Sequence, residues 1–195
     1  MTADIALYKG NFVPVGEDQL PHLELAREIV RRFNALYGKV FPEPQAKLTS
    51  FPLVLGLDGV QKMSKSYNNY IEIAASSQEI SERVMTAFTD PERKYRSDPG
   101  HPDISNIFRL HKFFTPARME ELASECRRAS IGCVDCKKIL AQSISSNLEP
   151  FRERRAVLAS KRNYVAEVLA EGTNRAEAIA KETMKEVKER MKLVP

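Results

Sequence analysis

The segment 11–38, NFVPVGEDQLPHLELAREIVRRFNALYG, carries the pattern that decides the fold class. Its first five residues favour an extended strand, and the strand runs into a turn at Gly16, where glycine permits an unusual backbone angle. A helix is predicted next, because Asp18 can cap it, Pro21 falls in its first turn and Gly38 can end it. One face of this helix is apolar and consists of Leu23, Ala26, Ile29, Val30, Phe33 and Leu36.

A second strand is predicted downstream of this helix. Residues 38–51 form a proline-punctuated loop, and PLVLGL, residues 52–57, has the composition of a short buried strand. A strand, a helix and a strand within about 45 residues are typical of a parallel α/β sheet. Ligands of such sheets gather beyond the carboxyl ends of the strands, where the Gly16 turn and the loop after residue 57 are expected to lie.

The pattern changes to helices from about residue 77. The segment SQEISERVMTAFTD places Ile80, Val84, Ala87 and Phe88 at helical spacing. Further helices are predicted over residues 105–115, 116–128, 133–148, 151–170 and 174–192. The predicted fold class is therefore α/β plus α, mostly helical overall, with a partial parallel sheet in residues 1–76 and a helical domain in residues 77–195.

The composition is that of a globular protein. The chain has 195 residues, of which 43% are hydrophobic and 29% are charged, and no apolar run is long enough for a membrane span. The first residues lack the basic and apolar regions of a signal peptide, so a cytoplasmic protein is expected. Residues 1–150 balance 19 basic against 19 acidic side chains, whereas residues 151–195 hold 11 and 7. This basic tail fits a polyanion partner or a solvated helix face.

The segment QKMSKS, residues 61–66, places two lysines three residues apart between serines, directly after GLDG. Ammonium groups act as movable point charges and hydroxyls add donors, so the segment fits a polyphosphate-binding loop. A solvated surface loop is the alternative. Three cysteines downstream, Cys126, Cys133 and Cys136, have the spacing C-x6-C-x2-C, which resembles a ligand set more than a disulfide scaffold.

Five stretches together resemble the tryptophanyl-tRNA synthetases, which are class I aminoacyl-tRNA synthetases. They are MTADIALY, VPVGEDQLPHLELAREIVRRFN, KMSKS, ISNIFRLHKFF and GCVDCKKILAQSI with PFRERR. The resemblance extends from Met1 to about Met191. It implies a Rossmann-type catalytic domain with its KMSKS loop in residues 1–76, a helical tRNA and anticodon-binding domain in residues 77–195, and a cytoplasmic protein.

The resemblance implies ATP-dependent activation of L-tryptophan, with ATP and Mg²⁺ as substrate, and transfer to tRNA-Trp. Lys62 and Lys65 would then be catalytic, because they meet the charge that builds on the leaving pyrophosphate. The implied ATP-binding residues are Gly16, Glu17, Asp18, Val54, Lys62, Met63, Ser64, Lys65 and Ser66. Those implied for tryptophan are Met1, Asp4 and Gln19, with Asp4 accepting from the indole N–H. Helix capping by Asp18 alone is the bland alternative.

Other family features map onto the helical half. Arg152, Arg154 and Arg155 correspond to a surface that suits tRNA phosphates, and Tyr164 is a candidate for stacking on a base. Some members hold a four-iron, four-sulfur cluster on cysteines that match Cys126, Cys133 and Cys136, but this chain has Ser105 in the stretch where the fourth ligand is expected. Zinc on the three cysteines with His111 or Asp103 is a second option, and buried or redox-sensitive cysteines are a third. A homodimer is the family's usual assembly.

The sequence departs from the family in one respect. Class I synthetases carry a second signature, His-x-Gly-His or a close variant, and the three histidines His22, His101 and His111 do not match it. The resemblance starts where roughly the second half of the family's sheet begins, so the chain is expected to be a C-terminal portion that is inactive alone. A non-catalytic tRNA-binding module and a tyrosyl-tRNA synthetase-like enzyme are the alternative functions.

Overall fold

The computed structural model describes residues 1–48 and 53–193. The chain divides into two compact units, which are described separately: Met1–Leu53 with Lys161–Pro195, and Val54–Ser160. The helices in chain order are α1 Thr2–Leu7, α2 Leu20–Tyr37, α3 Ser77–Met85, α4 Asn106–Phe114, α5 Met119–Arg127, α6 Cys133–Ala159 and α7 Arg162–Arg190. The strands are β1 Phe12–Pro14 and β2 Gln45–Lys47, and single turns of 3₁₀-helix cover Glu17–Gln19 and Pro116–Arg118.

The sheet of the first unit is parallel, as predicted, but its second strand lies elsewhere. β1 pairs with β2 in the register Phe12 to Gln45, Val13 to Ala46 and Pro14 to Lys47. The prediction of a buried strand over residues 52–57 is wrong for Leu53–Leu57, where Leu55 makes only an isolated antiparallel bridge to Lys62. Pro52 lies outside the described residues. The second strand, Gln45–Lys47, therefore forms inside the predicted loop through backbone pairing with β1, although it has no β-branched residue.

Neither end of helix α2 is capped by a side-chain hydrogen bond from its N-cap residue or from Gly38. Asp18 lies in the preceding 3₁₀ turn, and α2 starts after Gln19 without a side-chain cap, so the prediction of Asp18 as N-cap is wrong. Gly38 ends the helix as predicted, with a φ of 89° that an L side chain would disfavour. Leu23, Ala26 and Val30 of the predicted apolar face are buried. Ile29 and Leu36, on the same face, are 48% and 66% exposed.

The second unit has a helical core of its own. α6 packs against α3 and α4, and the fully buried side chains include Ile80, Val84, Leu122, Leu140 and Ile144. α3 starts with a capping box, in which the Ser76 side chain accepts from the Glu79 N–H and the Glu79 carboxylate accepts from the Ser76 N–H. Leu57, just before the loop 58–66, belongs to the same core. The helices therefore provide a rigid base for that loop.

The last two helices differ from the prediction in their boundaries. α6 continues through Pro150 to Ala159, although separate helices were predicted over 133–148 and 151–170. A proline inside a helix removes one backbone hydrogen bond and crowds the preceding turn. The Arg152 guanidinium donates to the Ser145 carbonyl at 2.9 Å, an additional side-chain hydrogen bond in the turn that precedes Pro150. α7 then runs unbroken over a span where a loop at residues 171–173 was expected.

Candidate functional site

The KMSKS loop of the second unit is a tight ribbon. The Met63 N–H donates to the Val54 carbonyl at 2.9 Å, the Gly56 N–H donates to the Gln61 carbonyl at 2.9 Å, and Leu55 forms a bridge with Lys62. The structure thus brings together Val54 and Met63, two of the residues predicted to bind ATP. The prediction that Val54 belongs to a buried strand is wrong, since the Val54 side chain is 36% exposed.

Asn69 holds this ribbon through its side chain, although no pattern in the sequence had marked it as a site residue. The side chain is buried, with an exposed fraction of 4%. Its amide nitrogen donates to the Asp58 carboxylate at 2.5 Å and to the Lys62 carbonyl at 3.1 Å, and its amide oxygen accepts from the Ser64 N–H at 2.8 Å. One asparagine therefore fixes the backbone at both the first lysine and the central serine of the loop.

The residues around Asn69 explain the sequence GLDG. A Cβ at Gly56 would lie 2.0 Å from the Asn69 amide nitrogen, so only glycine allows the asparagine to approach this closely. Gly59 has a φ of 73°, and Asp58 accepts from the Val60 and Gln61 N–H groups at 2.8 Å each. Hydrogen bonds from the Val60 amide, and then from Asn69, hold the pKa of Asp58 below its usual range.

Two further side chains connect the loop to the helical core. The buried Asn106 of α4 donates to the Gly56 carbonyl at 2.8 Å. Arg83 of α3 donates from Nε to the Tyr70 carbonyl at 3.0 Å and from Nη2 to the Asn68 carbonyl at 2.5 Å. A cluster of asparagines after a lysine–serine loop was the one sequence signal that could have indicated this framework.

The functional groups of the loop point outward from this framework. Lys62, Lys65 and Ser66 are exposed, whereas Met63 is half-buried and packs against the core. The Ser64 hydroxyl accepts from the Ser66 N–H at 3.1 Å. The loop therefore presents two ammonium groups and backbone on one exposed turn, an arrangement that can receive a polyphosphate.

The other predicted nucleotide residues lie in the first unit. Gly16 has φ −74° and ψ 161°, an ordinary extended conformation, so the expected unusual backbone angle is wrong. The Gln19 N–H donates to the Gly16 carbonyl at 3.0 Å, and the Gln19 side chain donates to the Asp18 carboxylate at 3.2 Å. Glu17 and Asp18 are exposed at this turn. Two adjacent residues with exposed carboxylates therefore lie directly before α2, where hydroxyl donors can reach them.

The predicted tryptophan residues are found on and beside α1. Asp4 is exposed, and its carboxylate lies 3.1 Å from the amino group of Met1. An apolar cavity of about 610 Å³ lies in the same unit between α1, α2 and α7, where Ala6, Ile29, Phe33 and Met184 are among its lining residues. Met1, Asp4 and Gln19 are not part of that lining. Their assignment to tryptophan stays a prediction.

The three arginines predicted to meet tRNA differ in their surroundings. Arg152 has only 15% of its side chain exposed and donates to the Ala75 carbonyl at 3.2 Å and to the Ser145 hydroxyl at 3.1 Å, with Glu149 as its ion-pair partner. Arg154 and Arg155 are exposed. Arg152 thus already ties α6 to the start of α3, whereas its two neighbours present their charge to solvent.

The three cysteines lie around one small cavity that also includes Ser105. The Cys136 sulfur lies 3.3 Å from His111 Nε2, while Arg93 Nη1 lies 4.0 Å from the Cys126 sulfur and 3.9 Å from the Cys133 sulfur. Burial raises the pKa of the Cys136 thiol to about 12 and lowers the pKa of His111 to about 4. Burial also raises the pKa of Cys126.

This arrangement does not fit the metal that the resemblance implied. Among residues 1–48 and 53–193, no group of three or more His, Cys, Asp and Glu side chains is placed to hold a metal ion. A four-iron cluster needs four thiolates, but here a guanidinium lies beside two of the sulfurs and a histidine ring faces the third.

In the described part of the chain no helix is long and apolar enough to cross a membrane.

The chain is similar to known proteins over most of its length. A family model described as tRNA synthetases class I (W and Y) matches residues 1–149. A tryptophan–tRNA ligase of Aquifex aeolicus is 49% identical over 193 residues, which are 98% of this chain and 49% of that protein. A tryptophan–tRNA ligase of Thermotoga maritima is 45% identical over 194 residues, or 98% of this chain and 59% of that protein.

A solved structure gives the same result. The tryptophanyl-tRNA synthetase of Campylobacter jejuni, complexed with ADP and tryptophan, superposes with a TM-score of 0.79 at 32% identity. The match covers 98% of this chain and 60% of that one. The chain therefore spans about half to three fifths of the length of these relatives.

Proposed function

Because the chain belongs to the class I tRNA synthetases of the tryptophan and tyrosine family, we propose that it serves ATP-dependent ligation of L-tryptophan to tRNA-Trp. Tryptophan is favoured over tyrosine because three relatives that are 45–49% identical are all tryptophan–tRNA ligases. In the proposed activation step the tryptophan carboxylate attacks the α-phosphorus of ATP. A carboxylate–phosphorus bond forms as the bond to pyrophosphate breaks, and Mg²⁺ accompanies the ATP.

The observation that carries this proposal is the framework beneath the KMSKS loop. Asn69 holds the loop backbone at Lys62 and Ser64, while the side chains of Lys62 and Lys65 are exposed. Negative charge builds on the departing pyrophosphate, and ammonium groups that meet it there stabilise the transition state more than bound ATP. A loop whose base is fixed and whose lysine side chains are exposed suits that task.

The remaining partners follow from the same proposal. Gly16, Glu17 and Asp18 would contact the nucleotide, with the carboxylates accepting from ribose hydroxyls, and Met1, Asp4 and Gln19 would contact tryptophan. Arg154 and Arg155 would meet tRNA phosphates, since both are exposed on α6. The active assembly would be a homodimer in the cytoplasm.

The first experiment measures nucleotide binding to the chain itself. Titration calorimetry with Mg·ATP compares the wild type with Lys62→Ala/Lys65→Ala. The control, Lys112→Ala/Lys138→Ala, removes two lysines from α4 and α6, outside the loop. We expect weaker ATP binding in the loop variant only, because its two charges contact phosphate. Equal affinities in all three proteins would contradict a phosphate-binding role for the loop.

The second experiment measures catalysis. The sequence contains one of the two class I signature motifs, so we expect no tryptophan-dependent ATP–pyrophosphate exchange by the chain alone. Mixing it with a polypeptide that covers the unmatched part of the Aquifex aeolicus ligase should produce exchange. Lys65→Ala should then lower the turnover about 100-fold with little change in tryptophan affinity. Binding of tRNA-Trp without exchange in any mixture would favour the non-catalytic module.

A further inference from the structure

A polar cavity of about 430 Å³ lies in the second unit, away from the KMSKS loop. Thr89 and residues 93–96, RKYR, form one wall of it, and Gly132 with the first residues of α6 forms the other. Neither the residues proposed for ATP nor those proposed for tryptophan line it. The cavity therefore needs an explanation of its own.

The charge of the cavity is positive. Three cationic side chains line it, namely Arg93, Lys94 and Arg96, against the single carboxylate of Asp135. Arg96 Nη2 lies 3.4 Å from the Asp135 carboxylate, but both groups are largely solvated, with 77% and 46% of their side chains exposed. A solvated pair at this distance is weak and yields readily to another ligand. An anion entering the cavity would thus meet an excess of positive charge.

Arg93 is the cation that the fold holds in place. Its Nη2 donates to the Arg96 carbonyl at 2.7 Å, which fixes the guanidinium against the segment that carries the other two cations. Its Nε is buried and has no hydrogen-bond partner within the described residues. Its Nη1 lies 4.0 Å from the Cys126 sulfur and 3.9 Å from the Cys133 sulfur, so the donors of Arg93 are directed into the fold. Its positive charge, held at the cavity wall, attracts an anion there without a direct hydrogen bond.

The start of α6 adds donors to the same place. Gly132 precedes the helix, has no side chain to cap it, and lines the cavity together with Cys133. The first N–H groups of a 27-residue helix have no intrahelical acceptor, and the helix dipole favours negative charge at this end. The helix start, the fixed charge of Arg93 and the exposed Lys94 and Arg96 together outweigh the Asp135 carboxylate in the first turn of α6 and favour an oxyanion here.

We propose that this cavity binds a phosphate group, and that the phosphate belongs to an RNA chain. Tyr95, which lines the cavity between the cations, is 71% exposed and can stack on an unpaired base next to the phosphate. Free inorganic phosphate shares the chemistry of the site but would leave the tyrosine unused. The RNA source rests on the proposed tRNA partner, whereas the phosphate site itself does not.

The experiment compares two variants that each remove two positive charges. Lys94→Ala/Arg96→Ala removes the two exposed cations of the cavity and leaves Arg93 in place. The control, Arg109→Ala/Lys138→Ala, removes cations of α4 and α6 that do not line it. Thermal unfolding first establishes that both variants fold. Each protein is then titrated with transcribed tRNA-Trp by fluorescence anisotropy over a series of NaCl concentrations, and with inorganic phosphate by calorimetry at constant ionic strength.

We expect the cavity variant to bind the transcript about tenfold more weakly than the control at about 100 mM salt. The slope of log Kd against log salt should fall by about 0.7 to 0.9 for each phosphate that the protein no longer neutralises. Tyr95→Phe should keep the affinity and Tyr95→Ala should reduce it. Weaker phosphate binding with unchanged transcript binding would assign the site to a free anion and overturn the RNA source. Equal behaviour of cavity variant and control in both titrations would overturn the site.

Failure of this proposal can be distinguished from failure of the proposed function. If the wild-type chain does not bind the transcript at all, the tRNA partner is wrong, and the phosphate titration still decides whether the cavity is an oxyanion site. If the transcript binds but the cavity variant matches the control, the RNA is bound elsewhere, with Arg154 and Arg155 as the next residues to replace.

Discussion

Replacing Asn69 by alanine should loosen the KMSKS loop while the helical core stays folded. The change removes three side-chain hydrogen bonds, to Asp58, to the Lys62 carbonyl and from the Ser64 N–H. Each is worth about 1 kcal/mol net, and burial at 4% exposure adds the penalty of unsatisfied groups. We expect the free energy of unfolding to fall by about 2–4 kcal/mol, a large share of the roughly 5–15 kcal/mol typical of a domain.

Two measurements on the same sample test this. Urea denaturation gives the change in stability, and hydrogen exchange resolved residue by residue by NMR reports the Ser64 amide directly. Asn68→Gly is the matched control, because it deletes the neighbouring amide side chain at a φ of 49° that glycine tolerates. The reasoning is refuted if Asn69→Ala keeps both the wild-type urea midpoint and the slow exchange of Ser64.

Single sites give three further predictions. Gly56→Ala should lower the free energy of unfolding by about 1–3 kcal/mol, because its Cβ would collide with Asn69. A Cβ at Gly172 of α7 would have no atom of the described residues within 4 Å outside its own stretch of helix, so Gly172→Ala should raise the free energy of unfolding by about 0.5–1 kcal/mol. The two urea midpoints should therefore move in opposite directions. Burial lowers the pKa of His111 from 6.5 to about 4, so between these pH values the unfolded state binds a proton that the folded state does not. The free energy of unfolding should therefore be highest above pH 6.5 and fall by up to about 3 kcal/mol as the pH drops to 4. His111→Gln should flatten the pH dependence of unfolding in this window, and an unchanged profile would exclude His111 as its source. The double variant Arg93→Ala/Ser105→Cys removes a cation and adds a fourth thiol beside the cysteine cavity. When reconstituted without oxygen, it should bind more iron than the wild type. Equal iron contents would show that the cation and the missing thiol do not explain the poor fit to a cluster.

The local sequence was enough to predict features whose partners lie within a few residues. Gly38 was predicted to end α2, and it does so through its own backbone angle. The apolar periodicity around Ile80 and Val84 predicted the buried face of α3 in the same way. The KMSKS segment was also visible directly, because its chemistry depends on the residue types and spacing of five neighbours.

Features that depend on distant partners appeared only in the folded chain. β2 formed at Gln45–Lys47 because its backbone pairs with β1, about 33 residues earlier, and no side-chain pattern marks it. Arg152 seemed available to tRNA, but Ser145 and Ala75, the latter 77 residues away, take up its donors. Asn69 organises the KMSKS loop because Gly56 leaves it room 13 residues upstream, and Asp58 and Ser64 supply its partners. Periodicity and capping act over a turn or two of chain, whereas a buried hydrogen bond needs partners that only packing brings within about 3 Å of each other.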